Sequence, residues 1–328
     1  MTKHASVLLA ALLLSPASAF AAPHGILWMP GHAPVRIQSS AANAAGGGLQ
    51  YYGGPVIEHA KVYVVFWGAA ADGGLKGQLA PFYANILDSG YMDWLKEYDT
   101  NRAAVDGRKG TNQHIGRGTY GGSFTIQPAN TSSSLTDADV QHELDAQIAA
   151  GNLPKNDANT LYMTYFPSGV SIDIPGAGGS CSAFCAYHEG FVSPKTGKPV
   201  YYGVMPSCGW GCGSETEVSS HECIEAVTDP FPTPGDSPAY PQAWNDASGQ
   251  EIADLCESTS GTVNGHGIAS DVTGLWDDSI GGCNTGPWSQ NASAAVASVS
   301  AVPATRALPP IPMIGALRSI PAAGVFGR

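Results

Sequence analysis

Between Pro199 and Asp278 the chain carries 13 Asp and Glu residues and not one Lys or Arg. Carboxylates at that density repel one another in a compact fold unless they spread over a solvated surface or something positive joins them. The rest of the chain sharpens the constraint. Every acid lies between Glu58 and Asp278, and the 328 residues sum to a formal charge of −12. Phosphate contacts need clustered cations, so this pattern argues against a nucleic-acid partner. Two readings remain for the acidic stretch: a solvated face, or a site for a metal ion.

The segment Ser214 to Pro230, SETEVSSHECIEAVTDP, favours the second. Ser214 and Glu217 have the S-x-x-E spacing of a capping box, and Pro230 disfavours helix at Asp229, which predicts a helix from about Glu215 to Thr228. On it His221 and Glu225 are four residues apart, hence on one face and about 6 Å apart along the axis. Both can reach one ion. Glu222 follows the histidine, where HExxH metalloproteases keep the carboxylate that activates water, and the second ligand position is itself a carboxylate, giving HExxE. Cys223, between them, is expected to pack as a small buried apolar group. Five acids in the segment Glu215 to Asp229 without a compensating cation are hard to reconcile with a merely exposed polar face.

A third ligand must come from elsewhere. Asp229 is eight residues from His221, about 12 Å along a continuous helix, and reaches the same ion only if the chain turns sharply before it. Glu251 and Asp254 rank equally as the third ligand, ahead of Asp246 and then of His188 and His266. His142-Glu143 is a decoy, because Ala146 stands where a ligand would be needed. His114, in a Gly-rich stretch, can line a cleft or donate to an oxyanion, or simply be exposed. There is no G-x-S-x-G elbow and no phosphate-binding glycine loop.

Lys3, the apolar run Ala5 to Leu14 and the small residues up to Ala19 and Ala21 read as a signal peptide over residues 1–21. That run is too short to span a bilayer and no other segment is longer, so the expected product is exported, secreted or periplasmic, with no membrane span. Residues 22–48 read as a linker or a short pro-segment, residues 49–290 as the globular domain, and residues 291–328 as a flexible Ala/Pro-rich tail. Seven cysteines lie between Cys181 and Cys283, and in an oxidising compartment six are expected to pair, with Cys223 left over. The two C-x3-C pairs also suit a structural zinc site, which export disfavours.

Lys61–Trp67, Leu161–Phe166 and Val200–Met205 read as buried strands. Helices are expected over Leu79–Leu87, around Tyr91–Tyr98, and after Thr136, where Val140, Leu144 and Ile148 recur at four-residue steps. With 41 Gly and 24 Pro the chain is no helical bundle. The expected class is α/β: a single domain with a central sheet flanked by helices, Gly/Pro-rich loops and disulfides.

Five stretches in order, LQYYGGPVI with KVYVVFWG (Leu49 to Gly68), CSAFCAYH (Cys181 to His188), YYGVMPSCGWGC (Tyr201 to Cys212), HECIEAVTDP and EIADLC, together resemble the exordium or phosphate-induced protein 1 family. The resemblance covers roughly residues 49 to 288. It implies a secreted, cell-wall-associated protein linked to growth, and implies secretion more strongly than catalysis.

The residues themselves point to a metal-dependent hydrolase, a zinc peptidase acting on protein or peptide substrates. His221 and Glu225, with Glu251 or Asp254, would hold the ion and Glu222 would be the general base. One imidazole with two carboxylates is a hard ligand set for zinc, so Mn²⁺ and Ca²⁺ stay open. The competing reading is a non-catalytic extracellular module with a structural ion, binding cell-wall material or a partner.

Overall fold

A computed structural model describes residues 25–31, 48–232 and 238–290; the expected signal peptide, the tail from 291 to 328 and most of the 22–48 segment lie outside them. Ile26–Trp28 (β1), within the stretch expected to be a linker, instead adds an edge strand to the main sheet. The other five strands of that sheet are Lys61–Trp67 (β2), Thr119–Ile126 (β3), Thr160–Tyr165 (β4), Phe184–Val192 (β5) and Pro199–Met205 (β6). Their order is β1-β5-β6-β4-β2-β3. The run β6-β4-β2-β3 is parallel, whereas β5 is antiparallel to both its neighbours.

Two helical crossovers build the parallel part. Leu75–Leu87 (α1) and the short Gly90–Asp93 (α2) connect β2 to β3, and Asp137–Ala150 (α3) leads back to β4 on the far side of β2. Crossovers that step in opposite directions, each right-handed, put their helices on opposite faces. The core divides accordingly. Val62, Val64 and Phe66 of β2 share one apolar cluster with Leu79, Phe82 and Ile86 of α1, while Tyr63, Val65 and Trp67 share another with Val140, Leu144 and Ile148 of α3. The alternation along β2 is the period of two that a strand imposes. α3 is capped at Thr136 by a capping box with Asp139 and ends on Gly151, left-handed at φ 80°. Small two- and three-stranded sheets complete the mixed α/β architecture, among them the hairpin Ser260–Gly265 (β7) and Ile268–Thr273 (β8).

Three disulfides join Cys181 to Cys208, Cys185 to Cys212 and Cys256 to Cys283, leaving Cys223 free and buried. The C-x3-C pairs thus bond to each other rather than to zinc. Each bridge spans 27 residues, a loop whose closure removes about 3.5 kcal/mol of unfolded-chain entropy. Among the described residues no helix is long and apolar enough to cross a membrane.

Glu97, half-buried beside Asp277, has its carboxyl pushed up to about 7, chiefly by burial and then by Asp277. Between its ordinary value near 4.5 and about 7 the folded chain holds this proton and the unfolded chain does not, so stability falls as pH rises through that window. Glu97→Gln keeps the acceptor that receives the Asp278 N–H. The variant is expected to match the parent near pH 4 and to melt about 2–4 °C higher at pH 8, after discounting for solvent exposure. Equal melting shifts at both pH values would show that no such proton is held.

Candidate metal centre

The helix expected after Ser214 is Glu215–Thr228 (α4), with the bounds expected from the sequence and a reciprocal capping box between Ser214 and Glu217. It lies in the same cluster as α1, against β4 and β6 of the sheet on one side and β8 on the other. Every residue from Val218 to Thr228 is buried. A helix buried all round is normally apolar all round; this one hides two serines, a histidine, two glutamates and a threonine.

Most of those polar groups are satisfied locally. Ser219 shares a hydrogen bond with the Tyr165 hydroxyl, Ser220 Oγ donates to the Glu217 carbonyl and accepts from the Thr273 N–H, and the Thr228 hydroxyl donates to the Ile224 carbonyl. Cys223 is fully buried among apolar neighbours, its thiol pushed up to about 12 by burial, as expected of an inert packing group. The exceptions are the HExxE side chains. His221 Nε2, Glu222 Oε1 and Glu225 Oε2 are buried without a hydrogen-bond partner. Buried polar atoms are nearly always paired, so three orphans within five residues of one helix call for a physical cause.

Two further acids converge on the same point. The Asp254 N–H donates to Glu225 Oε1 at 3.1 Å, and the Glu251 N–H donates to Asp254 Oδ2 at 3.1 Å, which pins the 251–254 turn to α4. His221 Nε2 then stands 3.1 Å from Glu225 Oε1 and 3.6 Å from Asp254 Oδ1. Ligand atoms of His221, Glu225 and Asp254 all lie within 4.8 Å of one another, close enough for a single cation to draw them into one coordination shell. Glu251 and Asp254, ranked equally by sequence, thus separate: Asp254 joins the His221 group, whereas Glu251 stands 3.4 Å from His188 Nε2.

His188, placed near the bottom of the sequence ranking, sits at the centre of the second group. It lies in β5, antiparallel to β6 beneath α4, with Nδ1 at 3.3 Å from Glu222 Oε2 and 3.8 Å from Glu225 Oε2. Gly25, at φ 70°, permits this burial, because a Cβ there would approach the His188 carbonyl to 2.9 Å. The remaining candidates are elsewhere. Asp246 caps its own turn through the Ser248 and Gln250 N–H groups, His266 faces Asp88 from a hairpin turn, and exposed His114 pairs with Asp99. Glu143 is buried but receives the Ala129 N–H and the Gln147 amide. Asp229, past the end of α4, accepts from the Ala243 N–H and the Asn245 amide, with its carboxyl pushed up to about 7 mainly by burial.

Electrostatics follow from this packing. Burial pushes the Glu222 carboxyl up to about 7 and the fully buried Glu251 well above the carboxylate range. At both imidazoles burial is the largest influence and acts downward, yet the surrounding carboxylates outweigh it and hold them well above the usual histidine range. No Lys or Arg pairs with Glu222, Glu225 or Glu251 among the described residues. The centre is a nest of carboxylates that attracts positive charge and has only two imidazoles to supply it.

A cleft of about 250 Å³ opens onto His221, walled by Trp28 of β1, the Cys185–Cys212 disulfide, Glu217 and Glu257. No family model, curated protein or solved structure matches the chain. Its donor atoms alone indicate its chemistry: buried His and Glu side chains, with the partly buried Asp254, at a spacing that can hold a metal ion.

Proposed function

We propose that this chain is an exported metal-dependent hydrolase, a zinc peptidase, whose ion is held by His221, Glu225 and Asp254. The observation that supports it is the position of His221, which lines the cleft while lying at ligand spacing from two carboxylates. A bound divalent cation at that point supplies Lewis-acid polarisation of a carbonyl oxygen. Glu222 then takes a proton from the attacking water as its oxygen adds to the peptide carbonyl carbon. The same proton passes to the leaving nitrogen as the C–N bond breaks. Of the open metals, Zn²⁺ and Mn²⁺ suit a site containing imidazole, and Ca²⁺, which prefers six to eight oxygens, suits it less. Export is supported by the three disulfides and by the exordium-like motifs.

Full burial of Glu222 favours the competing reading, a structural ion in a non-catalytic wall-binding module. A mixed peptide library offered to the metal-loaded protein separates the two. Cleavage that stops with a chelator and returns with added Zn²⁺ supports the hydrolase; no cleavage of any peptide by a folded, zinc-loaded sample overturns it.

A further inference from the structure

Glu225 is shared. Its Oε1 faces His221 at 3.1 Å, and its Oε2 faces His188 at 3.8 Å and has no hydrogen-bond partner. One ion at the His221 group therefore leaves half of this carboxylate, and all of the chemistry around His188, unaccounted for.

The hydrogen bonding of His188 defines what is missing. Its Nε2 lies 3.0 Å from the Asp229 carbonyl, which only accepts, so Nε2 carries the hydrogen and donates there. In the neutral imidazole the Nδ1 lone pair then points at Glu222 Oε2 and Glu225 Oε2, an arrangement of three electron-rich atoms that repel one another. Glu251 adds to the imbalance. Both of its oxygens are buried without a hydrogen-bond partner, and His188 Nε2, 3.4 Å from Oε1, is already engaged with the Asp229 carbonyl.

We infer that His188, Glu225 and Glu251 form a second cation site, so that Glu225 bridges two divalent metal ions through its two oxygens. Ligand atoms of these three residues lie within 4.8 Å of one another, the same spacing as in the His221 group. The inference rests on the first site as proposed above and adds to it an inner ion of the Zn²⁺ or Mn²⁺ class, selected by one imidazole among carboxylates. Paired ions about 3.5–4 Å apart are a general means of clamping both oxygens of a hydrolytic displacement. The inner ion has no cleft of its own, since His188, Glu225 and Glu251 are 0–1 % exposed, so it exchanges more slowly than the outer one.

The test is metal stoichiometry of the full chain after saturation with Zn²⁺ and removal of excess. Two equivalents are expected in the parent, one in the near-isosteric Glu251→Gln and one in Asp254→Asn. One equivalent in the parent, retained by Glu251→Gln and lost in Asp254→Asn, overturns the second site while leaving the first standing. No bound zinc in the parent overturns both. Two equivalents retained by Glu251→Gln place the second ion elsewhere and also overturn the assignment. Electron paramagnetic resonance of the Mn²⁺-loaded parent needs no variant: a spin-coupled pair is expected, and an isolated-ion spectrum at saturation counts against the bridge.

Discussion

Glu225→Gln is expected to cost far more stability with zinc bound than with metal withdrawn. With Zn²⁺ present the variant should melt well below the parent, because an anionic ligand common to both groups of donors has become neutral. An ion at about 100 times its dissociation constant contributes about 2.7 kcal/mol, or roughly 5–10 °C of melting temperature for a chain of this size. Loss of more than about 100-fold in zinc affinity removes that contribution. With a chelator present the gap should narrow. No ion then joins the two groups, and what the substitution removes is only the pairing of Glu225 with the His221 and His188 imidazoles. The substitution preserves shape and the acceptor for the Asp254 N–H. Thermal melts of parent and variant, each with Zn²⁺ and with chelator, read the effect directly; an equal loss in both conditions would reduce Glu225 to a packing residue.

The sequence revealed this centre where local rules operate and concealed it where they do not. The capping box at Ser214 and the proline at 230 act within a few residues, and α4 runs from Glu215 to Thr228 as they require. β2 likewise covers Lys61–Trp67, since seven β-branched, aromatic and long residues in a run have few other uses. Cys223 is free because its place on a buried helix face keeps it from the other six. His188 had no comparable signal. It belongs to Phe184–Val192, FCAYHEGFV, where a histidine, a glutamate and a glycine break the apolar run, and only the β5–β6 pairing brings it under α4. β1 was hidden for a related reason: three residues in an Ala/Gly/Pro-rich stretch carry no periodicity, and their strand character is imposed by pairing with β5. The choice between Glu251 and Asp254 had the same origin. Their three-residue spacing does not say which one faces which histidine; the hydrogen bond from the Asp254 N–H to Glu225 does.

Glu222→Gln tests whether the centre works or merely holds. In the hydrolase reading this side chain moves a proton, and removing a general base lowers turnover by about 10²–10⁴-fold. Its Oε2 is 3.3 Å from His188 Nδ1, its Oε1 has no hydrogen-bond partner and burial raises its carboxyl to about 7, but the side chain is fully buried and is not among the residues that wall the cleft. Glutamine retains volume and one oxygen, so zinc at the His221 group should be kept while cleavage of the peptide library falls. Three measurements on one sample decide the matter: zinc content, melting temperature and cleavage rate. Retained zinc and stability with cleavage lowered at least 100-fold makes Glu222 the base. Unchanged cleavage removes Glu222 from the chemistry and assigns the proton transfer to another group, whereas loss of zinc or of stability in the variant makes it a structural residue.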